Sequence, residues 1–173
     1  MRSRHKARQL AIQTLYALDF NKRLTLDEIP PHFSGVTEEE FENLEEDVKL
    51  YAAYLIRGTI ENLEEIDALI SRFSLNRPID RIDFVDRNIL RISVFSLLYA
   101  NVHPHVIIDE AVKLSQDFSS EVNYKFINGI LDAMNKQIFT KREGVVYDST
   151  EEWRTDQAHP WGVPNNGKLN GFP

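Results

Sequence analysis

The chain has 173 residues, of which 42% are hydrophobic and 27% are charged, as in an ordinary globular protein of one domain or two small subdomains. It contains no cysteine, which excludes disulfides, thiolate metal sites and cysteine nucleophiles and fits a cytoplasmic location. The N-terminus lacks the long apolar stretch and small-residue cleavage site of a signal peptide. The net charge of −7 by itself argues against nucleic-acid binding.

The charges are distributed unevenly along the chain. Residues 2–8 contain three arginines, one lysine and one histidine without any acid, whereas residues 27–67 contain thirteen acids and two basic residues. A binding surface responds to the local field and not to the net charge. The basic N-terminus is therefore a candidate contact for nucleic acid, while the acidic stretch is expected to repel phosphate.

Helical signals dominate the first part of the chain. Good helix formers, with apolar residues at helical spacing, predict a first helix at 4–20. Residues 25–28 have the pattern of a capping box and predict a short second helix, which Pro30 and Pro31 stop. The pattern predicts that these two helices are separated by a break at Asn21 and Lys22.

A second capping box at residues 37–40 begins an apolar stripe that continues to Phe73. This stripe predicts one helix over 37–73, roughly 55 Å long and therefore able to be shared by two subdomains. Gly58 lies inside it, and we interpret it as a place where a neighbouring helix approaches closely, in preference to a kink.

The rest of the chain is organised around residues 84–100, of which eleven of seventeen are apolar. These residues occupy almost every side of a helical wheel, as in a helix that is buried all round. The run is too short and too charged for a membrane span. We expect a central helix, capped by Asp83, whose first turn leaves Asp86 and Arg87 at a polar end that a partner can contact.

Two more helices are predicted after the central one, at 105–118 and at about 121–139, with Ser119 and Ser120 capping the last. Gly129 lies inside the last helix and suggests tight packing there. No strand signal appears, so the predicted fold class is all-α with about seven helices. Residues 1–140 form the predicted domain, and residues 141–173 form a Gly- and Pro-rich tail that we expect to be flexible, unless its aromatic residues attach it to the body.

The N-terminal basic residues have the chemistry of a phosphate contact. Arg4 and Arg8 share a helix face with His5 beside them, while Arg2 and Lys6 point elsewhere. Arginine and lysine neutralise phosphates, and arginine also stacks on unpaired bases. On charge alone, a merely solubilising tail explains these residues equally well.

A second candidate lies on the last predicted helix, where Tyr124 and Phe126 flank Lys125. An aromatic plane beside a cation is what single-stranded RNA binding uses. The alternative is an ordinary helix flank with aromatic residues at the rim of the core.

Other chemistry receives little support from the sequence. His103 and His105 lack a third ligand nearby, so no metal site is expected. There is no phosphate-binding glycine loop, and no Ser/His/Asp or paired-carboxylate arrangement rises above chance. We therefore expect neither a cofactor nor an enzymatic activity.

Three stretches together resemble the NusB family of bacterial transcription antitermination factors. They are RHKAR at 4–8 leading into AIQTLY at 11–16, VDRNILRI at 85–92, and IDEAVKL at 108–114 followed by KFINGILD at 125–132. The resemblance covers about residues 3–140. It implies a NusB-like bundle of two subdomains around a long shared helix, with no enzymatic activity.

The resemblance also implies a function: binding of the boxA element of ribosomal RNA leader transcripts, together with the ribosomal protein NusE, in an RNA polymerase antitermination complex that reads through terminators. Carried over to this chain, it assigns RNA contacts to a set of residues on two helices, which we expect to form one continuous surface: Arg4, His5, Lys6, Arg8, Tyr16, Lys125 and Phe126. Arg2 and Tyr124 join this set as neighbours. Asp86, with Arg87 beside it, is assigned to the NusE interface.

This chain departs from the family where His5 and Lys6 replace arginines, which favours retained phosphate affinity over base discrimination. Two alternatives remain open at the level of sequence. One is a helical protein-interaction domain without RNA binding, and the other is the N-terminal module of a ribosomal RNA cytosine methyltransferase, although no glycine fingerprint for its cofactor is present. Homodimerisation also remains open.

Overall fold

The computed structural model describes residues 2–118 and 123–139. Within these ranges the chain forms seven α-helices and no strand, which confirms the predicted all-α class. The helices are α1 (Arg2–Phe20), α2 (Glu38–Glu42), α3 (Glu46–Glu61), α4 (Leu63–Phe73), α5 (Phe84–Tyr99), α6 (Pro104–Phe118) and α7 (Asn123–Met134). None of these helices is long and apolar enough to cross a membrane.

Helix α5 is the centre of the bundle, as predicted. It packs against α1, α3, α4, α6 and α7, and every residue from 88 to 97 is buried. Two serines inside this buried stretch satisfy their hydroxyls one turn back: Ser93 donates to the Ile89 carbonyl at 2.7 Å and Ser96 to the Ile92 carbonyl at 2.8 Å. The helix thus carries polar side chains through the core without leaving their donors unpaired.

The single long helix predicted over 37–73 is wrong, because the chain forms α2, α3 and α4 there. The break between α3 and α4 lies at Asn62, whose backbone leaves the helical region at φ −115° and ψ 22°. Its side-chain amide donates to the Gly58 carbonyl at 2.8 Å. An asparagine side chain that competes for a helix carbonyl favours such a break. The apolar stripe of the sequence nevertheless continues across the break unchanged.

The two helical glycines behave differently. Gly58 lies against the ring of Phe95, where an added Cβ would be 2.1 Å from Cζ, so the predicted close approach of a neighbouring helix is confirmed. At Gly129 no atom of the described residues lies within 4 Å of an added Cβ, so the tight packing predicted there is wrong.

The predicted helix ends are partly confirmed. Helix α1 ends at the expected break, where Lys22 adopts φ 57°, and Thr37 and Glu40 form both hydrogen bonds of a capping box. Residues 26–28 form only a 3₁₀ turn. Thr25 and Asp83 occupy the predicted N-cap positions, but neither side chain accepts a capping bond from the described residues. Beyond Met134 a π-helical segment, Asn135–Phe139, continues α7. The predicted cap at Ser119 and Ser120 and the predicted tail lie outside the described residues.

Candidate nucleic-acid and partner interface

The arginines of α1 converge on one tyrosine of α3. The Arg4 guanidinium lies 4.4 Å from the centroid of the Tyr51 ring, and that of Arg8 lies 5.6 Å from it. Arg8 Nη2 also donates to the Tyr51 hydroxyl at 3.5 Å. The two arginines therefore share a face, as predicted. Arg8, however, is only 7% exposed, so it is less accessible than the sequence suggested, and its assignment as an RNA contact stays a prediction.

His5 is held between two carboxylates of α6. Its Nδ1 pairs with Glu110 Oε1, and its Nε2 lies 2.9 Å from Asp117 Oδ2. Arg8 Nη1 reaches the same Glu110 oxygen at 3.8 Å, and Gln9 donates to Asp117 at 3.3 Å. These two acids offset part of the basic charge of α1. Sequence reasoning missed them because they lie more than a hundred positions away from His5 along the chain.

The cations that remain accessible near the start of α1 are fewer than the sequence suggested. Lys6 is exposed and Arg4 is half-buried. Arg2 begins the helix. The local cluster therefore presents a small positive surface, because Arg8 and His5 are engaged with α3 and α6.

The start of α7 provides the second candidate surface. Lys125 is exposed, while Tyr124 and Phe126 are half-buried on either side of it. Arg77, which the sequence gave no reason to include, belongs to the connection between α4 and α5 and places its guanidinium 4.3 Å from the centroid of the Phe126 ring. The continuity of this surface with α1 stays a prediction, supported by α6, which packs against both α1 and α7.

Tyr16 lies in a different environment from Arg4. It is 38% exposed and lies on α1 about 18 Å beyond Arg4, as twelve residues of helix require. Its ring is 6.1 Å from that of Phe20 and 6.0 Å from that of Phe84 on α5. Phe20 is 59% exposed, so these three rings form an apolar surface, which we call the aromatic patch (Tyr16, Phe20 and Phe84).

The first turn of α5 is less exposed than predicted. Asp86 has no exposed surface, so the expectation that it lies at an exposed polar end is wrong, because the fold buries its carboxylate. Its assignment to the NusE interface stays a prediction. Arg87 is half-buried, and its guanidinium lies 4.2 Å from the Phe84 ring centroid. Arg87 therefore borders the aromatic patch.

Asp19 holds Arg87 in place at the edge of the aromatic patch. Its carboxylate accepts from Arg87 Nε at 2.6 Å and Nη2 at 2.8 Å, from Arg91 Nη1 at 2.9 Å and from Asn88 at 3.0 Å. Arg91 also pairs with Asp67 of α4 at 2.8 Å. Burial by itself raises the pKa of Asp19, but the hydrogen bonds from Arg87 and Asn88 and the charges of both arginines outweigh it, so the pKa lies below its ordinary value. The network locks the end of α1 to α5 and α4.

The two histidines beside Pro104 stack on each other at 5.0 Å, and the His105 amide donates to His103 Nδ1 at 3.1 Å. Among the described residues, no group of three or more side chains is arranged to hold a metal ion. This part of the chain offers a local turn and not a ligand set.

Known proteins agree with this architecture. The family model of the NusB family matches residues 5–136. The transcription antitermination protein NusB of Borreliella burgdorferi is 40% identical over 136 residues, which cover 78% of this chain and 94% of that protein. The family is not enzymatic, as the sequence analysis expected.

Solved structures support the same assignment. NusB of T. maritima matches with a TM-score of 0.66 at 34% identity, over 78% of this chain and 91% of that one. A structure of the antitermination factors NusB and NusE in complex with double-stranded RNA matches with a TM-score of 0.56 at 28% identity, over 79% and 98% of the two chains. The chain therefore belongs to the NusB family of transcription antitermination proteins.

Proposed function

We propose that this chain is an RNA-binding adaptor that recognises the boxA element of ribosomal RNA leader transcripts together with NusE. In this role it joins the cytoplasmic RNA polymerase antitermination complex and promotes read-through of terminators. Membership of the family and the relative solved with NusE and RNA support the proposal. The observation that carries it on this chain is the exposed Lys125 next in sequence to the half-buried Phe126 on α7, a cation and an aromatic ring at neighbouring positions.

The electrostatics of the described residues explain why a partner is needed. Few cations are accessible near the start of α1, and Glu110 and Asp117 lie beside them. The logarithm of the binding constant for a single-stranded nucleic acid falls linearly with the logarithm of the salt concentration, with a slope of about −0.7 for each phosphate neutralised. A chain with so few contacts binds RNA weakly alone, and NusE supplies the additional surface.

We place NusE on the aromatic patch. Phe20 is 59% exposed, and it packs edge-on against Phe84 at 5.5 Å. Arg87, which the family resemblance places near NusE, stacks on the same Phe84 ring. An apolar centre with a charged rim is the usual composition of a protein interface. On this proposal Tyr16 contacts the protein partner, and its assignment to RNA is the alternative outcome.

The proposal is tested by fluorescence anisotropy with a boxA-like single-stranded RNA and a scrambled control, each with and without NusE at two salt concentrations. We expect a preference for boxA that NusE strengthens and that Lys125→Gln reduces. The control is Lys49→Gln, which removes the same charge from a lysine of the acidic stretch that lies 4.7 Å from the Phe41 ring centroid. Equal binding of both RNAs in the presence of NusE contradicts the RNA part of the proposal and favours a protein-interaction domain.

The partner surface is tested separately. Phe20→Ala is expected to weaken NusE binding in isothermal titration calorimetry about tenfold or more, as truncation of a central interface aromatic does. Leu75→Ala is the control, because Leu75 is 86% exposed on the α4–α5 connection, away from the patch. If the Phe20 variant binds NusE as tightly as the unaltered protein, NusE does not bind the aromatic patch. Loss of a dimer in sedimentation of the free protein assigns the patch instead to a second copy of the chain.

A further inference from the structure

Arg77 differs from the arginines of this protein that form ion pairs. Arg57, Arg87 and Arg91 each pair with a carboxylate, whereas no carboxylate within the described ranges pairs with Arg77. Its side chain is exposed, and its guanidinium carbon lies 4.3 Å from the centroid of the Phe126 ring. The charge of Arg77 is therefore presented to solvent beside the candidate RNA surface of α7.

The backbone of Arg77 is held in place from both sides. The Ser74 hydroxyl donates to the Arg77 carbonyl at 2.6 Å, and the Arg77 amide donates to the Ser74 carbonyl at 3.4 Å. Pro78 follows and restricts the backbone further. A side chain that already stacks on an aromatic ring and projects from a fixed turn loses little conformational entropy when it binds a ligand.

The position of Arg77 changes what Phe126 offers to a ligand. The guanidinium covers one face of the ring, so a nucleobase that approaches this face meets Arg77 first. A guanidinium plane stacks on unpaired bases, and its edge donates two parallel hydrogen bonds to phosphate. Lys125, next to Phe126 and exposed, is available for a further phosphate.

The local charge is also favourable. Residues 68–79 contain Arg72 and Arg77 and no acidic residue, in contrast to the acidic stretch that precedes them. Residues 2–8 and residues 68–79 are both basic segments without an acid. Arg77 connects the segment 68–79 to the start of α7 through its contact with Phe126.

We propose that Arg77 is an RNA-binding residue that extends the nucleic-acid surface from α7 onto the α4–α5 connection and provides a stacking plane for one unpaired base. The inference rests on the proposed function and specifies where the single strand continues beyond Lys125. In this arrangement the base stacks on the Arg77 guanidinium, and the guanidinium stacks on the Phe126 ring.

The test uses the full chain with NusE and boxA-like RNAs that carry 2-aminopurine at successive positions, whose fluorescence is quenched when the base stacks. Arg77→Gln is expected to weaken binding about fivefold or more, the lower range for loss of one stacked base. Arg77→Lys keeps the charge and the stem, so it is expected to retain the salt dependence and to lose the quenching at one position. Arg81→Gln is the matched control, an exposed arginine of the same connection that changes the net charge equally.

The outcomes separate this inference from the proposed function. If Arg77→Gln and Arg81→Gln weaken binding equally, only net charge matters and Arg77 is not a stacking residue, while the proposed function stands. If Arg77→Lys leaves the quenching pattern unchanged, the stacking plane lies elsewhere. If the unaltered protein with NusE shows no preference for boxA, the proposed function fails and this inference fails with it. Circular dichroism melting of each variant verifies that the fold is retained.

Discussion

Gly58 of α3 lies directly beneath the ring of Phe95 of α5, and a Cβ at Gly58 would stand 2.1 Å from Phe95 Cζ and 2.2 Å from Cε1. Phe95 is fully buried and is flanked by the rings of Tyr54 at 5.3 Å and Tyr99 at 5.7 Å. The ring therefore has little room to move away. The absence of a side chain at Gly58 is what brings α3 against the central helix.

Gly58→Ala is expected to destabilise the protein by about 1–3 kcal/mol, the usual range for overpacking a core. This loss outweighs the gain in helix propensity of about 1 kcal/mol that an alanine brings. The measurement is the free energy of unfolding in urea.

Gly129→Ala is the matched control, because no atom of residues 2–118 or 123–139 lies within 4 Å of an added Cβ there. It is expected to leave stability unchanged or to raise it by up to about 1 kcal/mol. A Gly58 variant as stable as the Gly129 variant would show that Phe95 relaxes at no cost.

The sequence predicted the fold well wherever the signal was periodic and local. The apolar wheel of residues 84–100 identified the central helix, and Gly58 indicated a close contact of the predicted helix 37–73 with a neighbouring helix. The break at Asn62 was not predicted, because it depends on one side-chain bond to Gly58 and leaves the apolar stripe intact. Gly129 gave the same sequence signal as Gly58 but has no neighbour within 4 Å in the part of the chain that the structure describes, a difference that only the neighbouring helices determine.

Asp19→Asn is expected to destabilise the protein by about 2–3 kcal/mol near neutral pH, because it leaves Arg87 and Arg91 without their shared, part-buried carboxylate. The pKa of Asp19 in the folded protein lies below its ordinary value of 3.8. Its contribution to stability is therefore complete above pH 3.8 and is lost as the pH falls below that value toward the folded pKa.

The difference in unfolding free energy between the unaltered protein and this variant should accordingly shrink as the pH falls below 3.8. Urea unfolding at several pH values measures it. Asp80→Asn is the control, an exposed aspartate on the α4–α5 connection, for which a small and nearly constant difference is expected. A difference for Asp19→Asn that stays constant down to the acid transition would contradict a lowered pKa.

The candidate site was less predictable than the fold, since its electrostatics depend on contacts across the bundle. Lys125 and Phe126 were found from adjacent residues on one helix, whereas their neighbour Arg77 comes from a connection far away in the chain. Asp86 looked exposed because it is charged and lies in a first turn, yet packing buries it completely. Likewise, the basic run of α1 gave no sign that α6 supplies acids against it.

Removal of the Asp117 carboxylate should show how much the acids of α6 weaken RNA binding at the start of α1. Its carboxylate lies 2.9 Å from His5 Nε2 and accepts from Gln9 at 3.3 Å, on the exposed side of the cluster. Asp117→Asn removes a negative charge near the phosphates that Arg4 and Lys6 are proposed to contact. One charge at contact distance in water is worth about 1 kcal/mol, so boxA affinity should rise about threefold to fivefold at low salt.

Because the effect is electrostatic, the gain should disappear as salt is raised. Anisotropy titrations of Asp117→Asn at low and high salt, with NusE present, measure it. Asp27→Asn, an exposed aspartate of the 3₁₀ turn Leu26–Glu28, changes the net charge equally and should leave affinity nearly unchanged. Equal gains for the two variants would mean that RNA responds to the total charge of the protein, and the start of α1 would then lose its assignment as a contact surface.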